Sequence, residues 1–299
     1  MRHQYHPLGF EGSRIAQGFW RCLEWQMSPA QRLGFIEACL ALGVTTFDHA
    51  DIYGKYQCEA LFGEALALKP ALRDKMEIVT KCGVRMPAEH RPDIALHRYD
   101  YRSKHIIDSV DASLAALQCD YIDTLLLHRP SPLMDADEVA QTLDYLFTLG
   151  KVKHFGVSNF TASQFDLLQS RLDAPLVVNQ LELSPLALQH FLDGTLDHAQ
   201  QHAVTPMAWS PFAGGALFTG TDEKTVRVQA VLKTIAQAHG VSQDQVAIAW
   251  LLRHPSGICP VLGSGNIERL ERAADATRLL LSDDDWFRIW IASQGQPVP

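Results

Sequence analysis

The stretch VTTFDHADIYG, residues Val44–Gly54, decides how the rest of the chain is read. Val44 to Phe47 is a short apolar and β-branched run that fits a buried strand, and it runs straight into Asp48, Asp51 and Tyr53. Immediately upstream, SPAQRLGFIEACLALG carries Ser28 as a candidate N-cap, Pro29 at the first helical position, Gln31 at the capping-box position and Gly43 at the end. A helix therefore feeds a strand that looks buried on both faces, which is the repeating unit of a parallel α/β fold.

Working outward, the same alternation recurs. Ile15 to Trp20 reads as the strand before that helix; a helix near Glu59 to Leu68 leads to the strand MEIVTKCG; Ile106, Ile107, Val110, Leu114 and Leu117 form one helical stripe before the strand YIDTLLLH. Val139, Leu143 and Leu146 line a helix before VKHFGVS, and Thr161 with Gln164 repeats the capping box before LVVNQ. A helix around Phe191 to His202, the strand VTPMAW, the capped helix SQDQVAIAWLLRHP, the strand GICPVLG and the helix NIERLERAADA, with Ile267, Leu270 and Ala274 inward, complete the series. Eight strands nearly all followed by helices, with no linker-like or low-complexity stretch, predict a (β/α)8 TIM barrel with residues 1–299 as a single domain. A doubly wound sheet would call for a glycine-rich turn after the first strand, and AQGFWRC does not supply one.

Composition narrows the classes of function. Acidic residues outnumber basic ones 34 to 26, a net charge of −8 with no long basic run, which argues against nucleic acid and anionic membranes as partners. The start, MRHQYHPLGFEG, lacks the apolar core of a secretory signal, and no stretch has the length of a membrane span, so the expected address is the cytoplasm. The six cysteines form no C-x-x-C pair and read as reduced thiols.

In a barrel, the C-terminal strand ends share one rim, and that rim carries the active site. Asp48, Lys81, His128, Ser158 with Asn159, Gln180, Trp209 with Ser210, and Gly263 with Ser264 stand at successive strand ends. Singly, each is an ordinary turn former, cap or place where the chain meets water. Together they deliver acid, phenol, ammonium and imidazole to one mouth. A phenol with pKa near about 10 is a sluggish donor, and an ammonium favours its anion; Lys81 is expected to lower the pKa of Tyr53, Asp48 to keep Lys81 charged, and His128 to orient an incoming oxygen.

FDHADIYG, VTKCG, LLLHRP, KVKHFGVSNF, VVNQLELSP, AWSPFAGG and VLGSGNIERL resemble, in order, the successive motifs of the aldo-keto reductase superfamily, and GFWR at Gly18–Arg21 is similar to its first loop. The resemblance implies NADPH-dependent reduction of a small carbonyl substrate, with Tyr53 as proton donor, Lys81 and Asp48 tuning it and His128 positioning the carbonyl. It implies further that Gly18, Phe19 and Trp20 approach the cofactor and that Ser158, Asn159 and Gln180 hold the carboxamide. Trp209 would stack on the nicotinamide, and Ser210, Pro211, Phe212, Gly214 and Leu217 would cover the pyrophosphate. Ser264, Gly265 and Arg269 would take the 2′-phosphate, so that NADPH is favoured over NADH. Gly263 stands where many NADPH-preferring relatives carry Lys, and Ala273 where many carry Asn. Two rival readings are a nucleotide-binding regulatory or interaction subunit on the same fold with little catalysis, and a metal-dependent barrel hydrolase, which would need an H-x-H on strand one.

Two features stand apart. HAQQH places His198 and His202 four residues apart on one helix, but shows neither the Glu of a metalloprotease motif nor a third ligand, so no metal is expected. The Arg- and His-rich segment 85–105 reads as a solvated loop or, if it overhangs the mouth, a substrate loop in which Arg91 and Arg98 attract anions.

Overall fold

A computed structural model describes residues 2–299. Eight strands, β1 (Ala16–Gly18), β2 (Thr46–Asp48), β3 (Glu77–Cys82), β4 (Ile122–Leu127), β5 (Val152–Ser158), β6 (Leu176–Glu182), β7 (Thr205–Trp209) and β8 (Cys259–Leu262), form a closed barrel in sequence order. Every neighbouring pair is parallel, and β8 closes on β1 through Val261 opposite Ala16. The principal outer helices are α1 (Pro29–Ala41), α2 (Cys58–Leu66), α3 (Ser103–Leu117), α4 (Ala136–Thr148), α5 (Ala162–Gln169), α6 (Thr195–Gln201), α7 (Gln243–Leu252) and α8 (Ile267–Ala276). The expected single (β/α)8 barrel is what the chain forms.

Both expected capping boxes form. Ser28 and Gln31 exchange side-chain and backbone hydrogen bonds at the start of α1, with Pro29 at the first position, and Thr161 and Gln164 do the same at α5. The stripe residues Ile106, Val110 and Leu117 of α3 and Val139, Leu143 and Leu146 of α4 are all buried against the barrel.

Other features differ from the sequence reading. The helix expected around Phe191 to His202 is two pieces, Gln189–Leu192 and α6, because Gly194 sits at φ 84° and breaks the ladder. Two helices, Glu223–His239 and Asp283–Gln294, add to the expected set. The second is held by tryptophans: Trp286 stacks on Trp250 at 5.1 Å, and each indole N–H donates to the other residue's carbonyl at 3.1 Å. A further addition is an N-terminal hairpin, Arg2–Gln4 paired antiparallel with Glu11–Ser13. It drives Tyr5 and Phe10 into the barrel interior against Val79, Leu126, Val178 and Met207. The Tyr5 hydroxyl lies 2.9 Å from both the Ser13 carbonyl and Cys259 Sγ. All six cysteines are free, as expected. Among the described residues, no helix is long and apolar enough to cross a membrane.

Candidate active site

Register brings the rim residues together. Gly18 lies opposite Asp48, and Ser158 opposite Gln180. Past the end of β2 the chain keeps bonding to β3: His49 N–H donates to the Val79 carbonyl at 2.8 Å and Asp51 N–H to that of Lys81 at 3.1 Å. A tight turn follows, in which Tyr53 N–H donates to Ala50, and Gly54 adopts φ 57°. That path explains the polar crowd at the strand end: it carries the phenol of Tyr53 back over the ammonium of Lys81.

Lys81 is fully buried. Its Nζ donates to Asp48 Oδ1 at 2.7 Å, to the His49 carbonyl at 2.7 Å and to Tyr53 Oη at 3.0 Å, which uses all the hydrogens of an ammonium. Burial alone would lower its pKa, but the Asp48 carboxylate, then Tyr53, more than offset this and hold it above the ordinary lysine value. Gln180 Nε2 donates to the same Asp48 oxygen at 2.7 Å.

The expectation that Lys81 lowers the pKa of Tyr53 is met only in part. Burial raises the phenol more than the Lys81 charge lowers it, and the Asp48 charge adds to the rise, so the net shift is upward. Tyr53 therefore keeps its proton at neutral pH. His128 lies edge-on to it, ring centroids 5.9 Å apart. Burial, then the charges of Lys81 and Arg129, push the His128 imidazole well below its ordinary pKa, so it is neutral at pH 7.

Asp48, Tyr53 and His128 open onto one cleft of about 1760 Å³, larger than the usual pocket for a drug-sized molecule. Ser158 Oγ donates to the Gln180 carbonyl at 2.9 Å, Asn159 Nδ2 to Ser158 Oγ at 2.7 Å, and Trp209 Nε1 to Asn159 Oδ1 at 3.0 Å. Asn159 is held at φ 61°, a conformation Asn tolerates better than most residues. After β7 the chain runs through Ser210, Ala213, Gly214 and Gly215, all at positive φ, with open space where a Cβ on either glycine would stand. At the start of α8, Gly265 packs so closely that a Cβ would fall 2.7 Å from the Trp25 ring. Arg269, on the first turn of α8, lines the same cleft and enters no ion pair among the described residues.

Of the residues singled out from the sequence, Gly18, Trp20, Ser158, Asn159, Gln180, Trp209, Ser210, Pro211, Phe212, Gly214, Ser264, Gly265 and Arg269 line this cleft. Phe19 and Leu217 do not: both are fully buried in the shells between barrel and helices, Phe19 beside Phe47 and Phe62, Leu217 beside Leu181 and Val228. Segment 85–105 is not a basic fringe over the mouth. Arg98 and Arg102 pair with the buried Asp100 and Arg91 with Asp93, while Arg91 also stacks over Tyr56; Met86 is the residue of this segment that reaches the cleft.

Gln17 and Arg129 are among the cleft-lining residues not singled out from the sequence, and His49, whose carbonyl accepts from Lys81 Nζ, is buried outside the lining. Arg129, next to His128, lines the cleft with its guanidinium 5.6 Å from the Trp209 ring centroid. Gln17, on β1 beside Gly18, donates to the Ser264 carbonyl at 3.2 Å while its Oε1 is buried without a partner. His49, stacked on Phe19 at 4.8 Å with both ring nitrogens unpartnered, is pushed down to about 3 by burial and by Lys81. Adjacency to the motif residues was the available signal for all three.

Comparison with known proteins agrees with this geometry. Residues 14–293 match the aldo/keto reductase family. The chain is 51% identical over 294 residues to an oxidoreductase, YdhF, of Escherichia coli K12, with 98% of this chain and 97% of that one covered. It is 48% identical over 289 residues to a protein named 6-dehydroglucose reductase from Agrobacterium fabrum, with 96% of each chain covered. A crystal structure of the thermostable aldo-keto reductase Tm1743 with the inhibitor epalrestat superposes with a TM-score of 0.80 over 98% of this chain and 99% of that one; at 24% identity it speaks to the fold alone. A closed barrel with its polar groups gathered on one rim, matched by the family along nearly its whole length, identifies the chain as an oxidoreductase of the aldo/keto reductase family.

Proposed function

We propose that this protein reduces an aldehyde or ketone to the alcohol with NADPH, Tyr53 supplying the proton. The observation that carries the reading is Lys81 Nζ, buried between Asp48 Oδ1 at 2.7 Å and Tyr53 Oη at 3.0 Å beneath the cleft that Asp48 and Tyr53 line.

The residues of the cleft fit a nicotinamide dinucleotide. His128 Nδ1 and Gln17 Oε1 are buried polar atoms with no partner in the protein. Ser158, Asn159 and Gln180 offer the donors and acceptors that a carboxamide requires. The Gly214–Gly215 backbone lets N–H groups approach phosphate oxygens, and Ser264, Gly265 and Arg269 at the start of α8 suit a further phosphate. When bound, the reduced nicotinamide supplies hydride to the carbonyl carbon.

The chain's own part is to place and move one proton. Because Tyr53 Oη accepts from Lys81, its own O–H remains to be donated into the cleft. The neutral imidazole of His128 has one N–H with which to hold the carbonyl oxygen. As that oxygen gains negative charge the phenol protonates it, and the phenolate left behind faces the Lys81 ammonium, which Asp48 keeps charged. A positioned acid of this kind contributes about 10²–10⁴ in rate.

Two relatives, at 48% and 38% identity, are named 6-dehydroglucose reductase, which puts sugar-derived carbonyls first in the substrate panel. Tyr53→Phe, assayed by loss of NADPH absorbance, is expected to abolish reduction while NADPH binding, read by fluorescence titration, persists. Turnover near the wild-type rate in this variant would overturn the role given to Tyr53.

A further inference from the structure

On the outer face of the barrel, two adjacent helices bring together a group that the cleft does not use. Among the described residues, Asp166 of α5 with His198 of α6 and His202 just past its end is the set of three side chains whose ligand atoms lie within 4.8 Å of one another. Asp166 Oδ1 is 2.7 Å from His198 Nε2 and 3.7 Å from His202 Nε2. His202 N–H donates to the His198 carbonyl at 3.1 Å, so the helical turn carries both imidazoles on one face, ring centroids 4.4 Å apart. Phe165 packs edge-on to His198 at 5.1 Å and against His202 at 6.3 Å, restricting both rings. The sequence showed two of these ligands and no third. Asp166 supplies it from a helix more than thirty residues away, a juxtaposition only the fold creates.

We propose that Asp166, His198 and His202 bind one divalent transition ion of the Zn²⁺ class, which clamps α5 to α6. Two imidazole nitrogens and a carboxylate oxygen suit zinc, cobalt or nickel and disfavour magnesium and calcium, which prefer all-oxygen shells. Tetrahedral bonds of about 2.0–2.1 Å set donor atoms about 3.3 Å apart, and the observed 2.7 and 3.7 Å bracket that separation. Small side-chain rotations suffice. On binding, the Nε2 lone pairs of both rings face the ion and each neutral imidazole carries its proton on Nδ1. The His198 side chain is only 12% exposed, whereas Asp166 at 53% and His202 at 38% leave an open coordination position for water. None of the three lines the cleft, so the ion acts on stability and not on carbonyl reduction.

The test uses the full chain without a histidine tag, titrated calorimetrically with ZnCl₂ and, separately, with CoCl₂ while the visible absorption is followed. The expected result is one equivalent of either ion, an intense tetrahedral Co²⁺ spectrum, and a melting temperature raised by about 4 °C at a hundredfold excess of Zn²⁺ over its Kd. His198→Ala with His202→Ala should abolish all three. His202→Gln, at an exposed position, gives the same reading should the double variant fail to fold. MgCl₂ should do nothing. Binding by the wild type at well under one equivalent, or equal binding by wild type and His202→Gln, would overturn the site and leave the Asp166–His198 contact a simple hydrogen bond between helices. Reductase activity is not the readout, so this result and that for Tyr53 are independent.

Discussion

Asp48→Asn is the substitution that most directly probes the buried charge network. Both Lys81 Nζ and Gln180 Nε2 donate to Asp48 Oδ1, so an Asn with its oxygen in that place keeps both hydrogen bonds and removes only the charge. Leaving a fully buried ammonium without its counter-ion typically costs about 3–5 kcal/mol. A ceiling comes from the lysine itself: discharging an amine of ordinary pKa at pH 7 costs about 4.6 kcal/mol, since each pKa unit is about 1.36 kcal/mol. For a chain of this length the loss corresponds to a fall of about 5–8 °C in melting temperature. The pH dependence has a definite sign. In the wild type the folded-state pKa of Lys81 is raised, so its contribution is fully present below the unfolded lysine value and is lost only as pH rises past it, through the higher folded value. In the variant the folded-state pKa falls below the unfolded one; the folded form then binds fewer protons, and stability recovers as pH climbs from 7 toward 10. Urea unfolding of both proteins at pH 7 and pH 9.5, with m-values checked for equality, measures the gap at each pH. A gap below 1 kcal/mol at pH 7, or one that stays constant between the two pH values, would refute the claim that Asp48 holds Lys81 charged.

Glu59, buried and accepting hydrogen bonds from Thr80 and Ser113, has its carboxyl pushed up to about 6 by burial. The raised folded-state value means the charged form is penalised above that pH, so Glu59→Gln should be more stable than wild type by up to about 2 kcal/mol at pH 7.5, with the advantage shrinking to nothing below pH 4. An advantage that does not change with pH, measured by urea unfolding, would contradict this. Two glycines in helices should respond oppositely to alanine. Gly34, exposed on α1 with nothing within 4 Å of the place an added methyl group would take, should gain about 0.5–1 kcal/mol as Gly34→Ala. Gly63 on α2 would set a Cβ 2.0 Å from the Ala116 carbonyl of α3, so Gly63→Ala should lower stability by about 1–3 kcal/mol despite its better helix propensity. Thermal melts that move in the same direction for both would show that propensity, not contact between helices, decides.

The parts of this molecule that were legible in its sequence are those written by local periodicity. The capping boxes at Ser28 and Thr161, the apolar stripes of α3 and α4 and the apolar runs of the strands each depend on neighbours within a few residues, and each formed where expected. The Lys81 contacts with Asp48 and Tyr53 were reachable because barrel topology alone forces strand ends onto one rim. Other features depend on partners distant in sequence. The N-terminal hairpin has strands of three residues, RHQ and EGS, too short and polar to show alternation, and it is fixed by burial of Tyr5 and Phe10. The arginines of segment 85–105 look free in sequence because their acceptors, Asp100 above all, become buried only when the segment folds back on itself. The upward shift of Tyr53 depends on the depth of the phenol, which spacing does not encode. The helix Glu223–His239, absent from the expected set, has a local signal all the same: Asp222 caps it, and Val228, Leu232 and Ile235 recur at helical intervals.

The hairpin that pushes Tyr5 and Phe10 up between the strands gives the barrel a solid floor. A tube stoppered at one end has a single doorway. Any ligand that reaches Tyr53 and His128 must arrive through the opposite rim and leave the same way.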